Sequence, residues 1–154
     1  EWREIHLESA KIIGSGLIEL GLLKGDIDSL VSSGAVALFY PHGLGHLIGL
    51  AVHDSGGYQK SREPSSHPQL RYLRTDRVLE TGMITSVEPG VYFIEALLAD
   101  PKNQHKFADE VNFKLADDMK GFGGIRIEDD IHVTSKDPEN LSSAIAKPLV
   151  INWR

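Results

Sequence analysis

Tyr40-Pro41-His42-Gly43-Leu44-Gly45-His46 sets two imidazoles four residues apart in a segment spaced by glycines. That spacing suits one face of a helix, but Gly43 and Gly45 each cost roughly 1 kcal/mol in a helix interior and Pro41 opens the run. The stretch therefore reads as an extended turn feeding a strand. The apolar run Leu47-Ile48-Gly49-Leu50-Ala51-Val52 follows as that strand, buried, and delivers a third imidazole, His53, beside Asp54. Histidine titrates near neutrality and is the commonest metal ligand, so three of them bracketing one strand suit metal binding or proton transfer.

Upstream, Ile5, Ile12, Ile13, Leu17, Leu20 and Leu23 recur at helical spacing across residues 4–23, with Gly14 and Gly16 weakening the middle and Gly21 ending it. Asp26 reads as the N-cap of a second, short helix closed by Gly34. Asp26 and Asp28 form an Asp-x-Asp pair of the kind that binds metals, yet a helix start favours carboxylates anyway, so both are assigned to capping. Downstream, residues 55–69 are polar, broken by prolines and without period: a loop long enough to be functional or lid-like. Arg74 follows it. Most exposed arginines are solvated charges, but the planar guanidinium is suited to gripping a carboxylate.

Met83-Ile84-Thr85-Ser86-Val87 alternates as a strand that ends on Glu88-Pro89-Gly90, and residues 91–94 resume as strand. Residues 95–119 suggest one or two surface helices, with Pro101 a break and Asn103 a new cap. Ile125 to Val133 alternates as one strand: Ile125, Ile127, Asp129, Ile131 and Val133 face one way, Arg126, Glu128, Asp130 and His132 the other.

The 154 residues suffice for one domain with its own core, and 41% apolar with 25% charged residues is ordinary globular composition. A formal net charge of −6 with no basic cluster argues against nucleic acid as a partner. The absence of cysteine removes disulfides, zinc thiolate sites and thiol nucleophiles, and fits a cytoplasmic location. No apolar stretch has the length of a membrane span, so no membrane partner is expected.

His46, Glu88 and Glu128 are each carried by a strand next to glycine or proline, and these three are best placed to converge. One imidazole and two carboxylates make a hard, mostly oxygen site that favours manganese, with zinc, cobalt or iron possible. A carboxylate can also bridge two ions about 3.5–4 Å apart, which activates a shared water and polarises a carbonyl. His42 and His53 remain for proton handling nearby. The fold expected is α+β, a mostly antiparallel sheet covered by helices.

At these residues the sequence resembles a known family. PHGLGHxxGxxVHD at 41–54, LRTxRxLxxGMxxxVEPGxYF at 73–93 and GFGGIRIEDDIxVT at 121–134 are similar to the creatinase, aminopeptidase P and prolidase group of pita-bread metallopeptidases. Within it the likeness is nearest to the prolidases, the Xaa-Pro dipeptidases, whose helical insertion between the second and third motifs is similar to residues 95–120. The resemblance implies that His46 and Glu88 are metal ligands, that Glu128 bridges two metals, and that Glu88 also moves protons to and from the nucleophilic water. It implies that His53 contacts substrate and steadies the tetrahedral intermediate, that His42 lines the same pocket, that Arg74 holds the carboxylate of a C-terminal proline, and that Arg126 supports the site near Glu128. The reaction implied is hydrolysis of the bond before proline in an Xaa-Pro dipeptide, with two manganese ions per complete site and a homodimeric full-length protein.

The family's two remaining ligands are aspartates, and a further histidine joins them, all upstream of the residues here. Residues 1–154 are therefore expected to be the C-terminal portion of one metallopeptidase catalytic domain, with the truncated chain inactive by itself. Ala51 stands where such relatives carry an acidic residue, which alters the surroundings of His53. Two other readings stay open: an aminopeptidase P-like enzyme, and a non-catalytic pita-bread module that binds or assembles.

Overall fold

The structure, a computed structural model, describes residues 1–60 and 62–147. Helix α1 (Trp2–Glu19) buries Trp2, His6, Ala10, Gly14 and Leu17, a single stripe at helical spacing, and its last turn hands over to Leu22 and Leu23, whose N–H groups fold back onto the Leu17 carbonyl. Helix α2 (Ile27–Ser33) starts and stops as expected: the Asp26 carboxylate accepts from the Ser29 N–H at 3.0 Å, and Gly34 ends it at φ 90°, a left-handed conformation that favours glycine. Asp28 pairs with Lys11 of α1 at 2.6 Å. The Asp-x-Asp pair is thus used for a cap and an inter-helix ion pair. Beyond α2 a tight turn buries Val36, Leu38, Phe39 and Tyr40 at the centre of the larger apolar core, against Ala10, Leu17, Leu30, Phe93 and Phe107.

Every pair of strands among the described residues is antiparallel. Strands β1 (Leu47–Ile48), β2 (Ile84–Val87), β5 (Asp129–His132) and β6 (Glu139–Asn140) form one sheet in the order β1-β2-β5-β6, and β3 (Gly90–Tyr92) pairs with β4 (Gly124–Arg126) in a second. Helices α3 (Glu95–Leu98), α4 (Pro101–Lys106) and α5 (Phe113–Asp118) fill the excursion between β3 and β4. The α+β class expected from the sequence is the observed one. No helix among the described residues is long and apolar enough to cross a membrane.

Three local expectations change. The single strand expected over residues 125–133 is two, because Pro89 on the facing strand has no N–H to give and the ladder lapses there. The register nevertheless runs through the gap: Val87 faces Asp129, Gly90 faces Arg126, and the Ile127 N–H donates to the Pro89 carbonyl at 3.2 Å. The buried strand expected over 47–52 stops after Ile48. Gly49 N–H turns back onto the Ala51 carbonyl and Asp54 N–H onto the Leu47 carbonyl, which leaves Leu50 and Val52 exposed. Finally, Asp100 rather than Asn103 caps α4, with Pro101 as its first residue, a position that needs no N–H donor. Asn103 instead donates to the Leu97 carbonyl.

One buried side chain joins α1 to the stretch around Gly43. The His6 ring, fully buried, donates through Nε2 to the Gln69 carbonyl at 2.7 Å and accepts the Leu44 N–H on Nδ1 at 3.1 Å. Burial pushes its pKa down from 6.5 to about 4. The unfolded chain therefore takes a proton at His6 that the folded chain refuses, and the neutral ring's contribution, present above pH 6.5, is lost as pH falls through this window and levels off below about 4. The loss amounts to about 3 kcal/mol. In denaturant titrations at pH 7 and pH 4.5, His6→Gln is expected to be less stable at pH 7 but to lose markedly less on acidification than the parent chain.

Candidate active site

The register that survives the β2–β3 break places Glu88 opposite Glu128. The flanking pairs Val87 with Asp129 and Pro89 with Ile127 belong to the hydrogen-bonded set, so Glu88 and Glu128 form a non-hydrogen-bonded pair, the kind whose facing side chains come closest. Two carboxylates so placed repel unless a cation intervenes. Glu88 is 7% exposed and Glu128 lies at the surface.

His46 reaches Glu88 from the next strand. Ser86 N–H donates to the His46 carbonyl at 2.9 Å, Glu88 N–H to the Leu44 carbonyl at 2.7 Å, and the Ser86 and Thr85 hydroxyls grip the His46 backbone at 3.0 and 2.9 Å. Gly45 makes this approach possible, since a Cβ there would lie 1.9 Å from the Ser86 carbonyl oxygen. The His46 Nδ1 faces the Leu47 carbonyl at 3.0 Å, which can only accept, so Nδ1 carries the proton of the neutral ring. Nε2 then turns a lone pair toward Glu88 Oε1, 3.4 Å away. Two electron-pair donors aimed at one point make a seat for a cation, and a ring steadied by a backbone carbonyl is the usual support of a metal-binding histidine.

A cavity of about 160 Å³ opens beside this pair, lined by His42, His53, Tyr72, Arg74, Glu88 and Arg126 with Gly43 and Gly45. His53 stacks edge-on against His46, ring centres 4.3 Å apart. Arg126 contacts Glu88 Oε2 through Nη1, while Ser86 Oγ donates to Oε1 at 3.1 Å. Arg126 Nε also donates to the Tyr92 hydroxyl at 2.6 Å, and that hydroxyl donates to His42 Nε2 at 3.2 Å; His42 Nδ1 donates to the Gly43 carbonyl at 2.8 Å. Burial holds the His42 pKa below its ordinary value, so the ring stays neutral and this donor sequence is the one populated near pH 7.

Of the residues singled out in the sequence, His42, His53, Arg74, Glu88 and Arg126 share the cavity, and His46 stands against it through Glu88 and His53. Glu128 does not complete a cluster. Among the described residues no three histidine, aspartate or glutamate side chains gather to hold a metal ion, because Arg126 rather than Glu128 meets the second oxygen of Glu88. Sequence reading passed over Tyr92 and Ser86. Both share the alternating face of Glu88, Ser86 two positions before it and Tyr92 four after, and that parity was the available signal.

An imidazole and one carboxylate aimed at a common point, beside a cavity that carries two guanidiniums, suit metal-assisted hydrolysis of an anionic substrate. The chain belongs to metallopeptidase family M24, whose model matches residues 1–135. It is 43% identical over 145 residues to the Xaa-Pro dipeptidase of Colwellia psychrerythraea, covering 90% of this chain and 32% of that protein, and 41% identical over 141 residues to the human Xaa-Pro dipeptidase, covering 92% and 29%. The chain thus spans about a third of the length of these relatives. Among solved structures, the Pseudomonas aeruginosa aminopeptidase PepP is 35% identical with a TM-score of 0.66, over 96% of this chain and 27% of its own. Zinc-substituted Escherichia coli aminopeptidase P in complex with product is 36% identical with a TM-score of 0.64, over 94% and 26%. The fold is the pita-bread arrangement of these enzymes.

The Arg126 contact makes a measurable demand. Arg126→Met strands a nearly buried carboxylate, and the expected cost is about 1–3 kcal/mol of unfolding free energy. Adding Glu88→Gln is expected to recover part of that loss, a non-additivity that a denaturant double-mutant cycle reads directly.

Proposed function

We propose that this chain carries part of the active site of an Xaa-Pro dipeptidase, a metal-dependent enzyme that hydrolyses the bond before a C-terminal proline. The observation that carries the reading is the single cavity where Arg74, His42 and His53 meet Glu88, with the His46 lone pair 3.4 Å from its Oε1. The names of the two curated relatives above support it. In this reading residues 1–154 are the C-terminal portion of one catalytic domain.

His46, Glu88 and Glu128 would hold divalent cations, manganese by the hardness of the donor set, with further ligands supplied by the rest of the protein. Bound there, the ions would lower the pKa of a water and polarise the scissile carbonyl. Arg74 would pair with the substrate carboxylate in this cavity. Glu88 would take the proton of the attacking water and return it to the leaving nitrogen, and His53, exposed at the cavity mouth, would donate to the carbonyl oxygen as it gains charge. Arg126 would hold Glu88 by its Oε2, and Tyr92 would orient both Arg126 and His42. The peptide is the proposed partner, with a homodimer and a cytoplasmic location as further parts of the proposal; the cysteine-free sequence supports the last. The aminopeptidase P likeness among solved structures favours a second reading, cleavage of the first residue from longer Xaa-Pro peptides.

In the full-length protein, Arg74→Ala is expected to weaken capture of free dipeptides by about 1.5–3 kcal/mol in kcat/KM, and to affect substrates extended beyond proline much less. Equal losses on both would favour the aminopeptidase reading. Residues 1–154 alone are expected to bind at most one manganese ion, weakly, and to turn over glycyl-proline negligibly. Calorimetric titration with the metal and a proline-release assay check both; two tight ions with robust turnover would point to ligands among residues other than those named.

A further inference from the structure

Arg74 reaches the cavity from residues 71–78, which have no helix or strand of their own and are clamped from two sides. On one side Asp76 N–H donates to the Gly57 carbonyl at 2.7 Å, Gln59 N–H to the Asp76 carbonyl at 3.2 Å, and the Tyr58 hydroxyl to the Leu73 carbonyl at 3.1 Å. Gly57 lies so close beneath Arg74 that a Cβ there would come within 2.0 Å of the Arg74 carbonyl oxygen. On the other side Trp2 N–H donates to the Arg77 carbonyl at 3.0 Å, and the Arg3 guanidinium meets both Asp76 oxygens, with Nε at 2.9 Å from Oδ1.

Arg62 closes the arrangement. It comes from the long polar loop, donates to Asp76 Oδ1 at 2.9 Å, and reaches both oxygens of Glu1 at 2.7 and 3.2 Å. Asp76 is 1% exposed. Burial alone would raise its pKa, but the two guanidiniums outweigh that and hold it below the ordinary carboxylate value. One ionised, buried carboxylate therefore ties α1, the loop and the Arg74 segment together. Its own charge is fully engaged, while Arg74, two residues away, pairs with no carboxylate among the described residues.

We infer that Asp76, held by Arg3 and Arg62, is a positioning residue that aims Arg74 at a ligand carboxylate and so sets the preference for a free carboxylate directly after proline. The inference rests on the role given to Arg74 above. A guanidinium fork gains most from a carboxylate when its backbone is fixed beforehand, because both hydrogen bonds must form in one plane. Loosening the clamp therefore erodes the carboxylate preference specifically, whereas a general loss of structure weakens every ligand alike.

The test compares kcat/KM for glycyl-proline with that for glycyl-prolinamide, which lacks the carboxylate, on the full-length protein. The parent is expected to prefer the acid by roughly tenfold, the equivalent of about one charge-assisted contact. Arg74→Ala is expected to abolish the preference. Asp76→Asn should cut it about fivefold while leaving kcat/KM for the amide unchanged, and Arg62→Gln, a milder change on the loop, should shift it the same way by about twofold. Should Arg74→Ala leave the preference intact, the reading of Arg74 falls and the inference with it. If Arg74→Ala abolishes the preference but Asp76→Asn and Arg62→Gln both retain it, or lower kcat/KM for acid and amide equally, only the inference is overturned.

Discussion

Glu88 faces Glu128 across an antiparallel pair whose register passes through Pro89 without slipping. Two like charges in a close-facing pair work against the strands that carry them, so the arrangement persists only with positive charge at hand. Arg126 provides it from two residues along the same strand face, while the His46 lone pair, turned toward Glu88, adds to the electron-rich side of the conflict. Much of the surrounding structure bears on this conflict. The Ser86 and Thr85 hydroxyls hold His46 in place, Gly45 lets its strand come close, and the Tyr92 hydroxyl keeps the Arg126 guanidinium from turning away.

The legible parts of the fold were those decided by local chemistry. Asp26 and Gly34 bound a helix because a carboxylate and a left-handed glycine do so almost wherever they occur, and the alternation along residues 125–133 assigned faces that the register bears out. The gathering of His42, His53, Arg74, Glu88 and Arg126 in one cavity was legible through motifs, whose spacing records a tertiary arrangement that periodicity alone does not. What escaped depended on partners distant in the chain. Leu47 to Val52 has the composition of a buried strand, yet it turns back after Ile48 because Asp54 claims the Leu47 carbonyl. The lapse at Pro89 left its mark on a strand nearly forty positions downstream, where nothing local announces it.

Donor and acceptor roles around the cavity are set by backbone carbonyls as much as by side chains. Leu47 and Gly43 each take the Nδ1 proton of a neighbouring imidazole, so both rings present Nε2 as a lone pair, one toward Glu88 and one toward the Tyr92 hydroxyl. His6 shows the opposite tautomer for the same kind of reason: the Gln69 carbonyl claims its Nε2 proton and Leu44 supplies a donor to Nδ1. Three histidines of one composition thereby acquire different chemistry, and the neutrality of His6 and His42 follows from burial.

The helical excursion between β3 and β4 closes where Tyr92 faces Gly124. Everything on the ladder side of that closure counts in whole residues, since one insertion between Glu88 and Tyr92, or between Gly124 and Glu128, would turn a carboxylate to the opposite face of the sheet. Residues 93–123 are under no such arithmetic. Helices α3, α4 and α5 can lengthen, shorten or exchange sequence with Glu88 still opposite Glu128, provided the excursion keeps its hold on the core through Phe93, Leu98, Phe107 and Val111. Related chains that diverge are therefore free to vary in length there while the count along the ladder stays constant, so that one ladder can carry differently shaped surroundings.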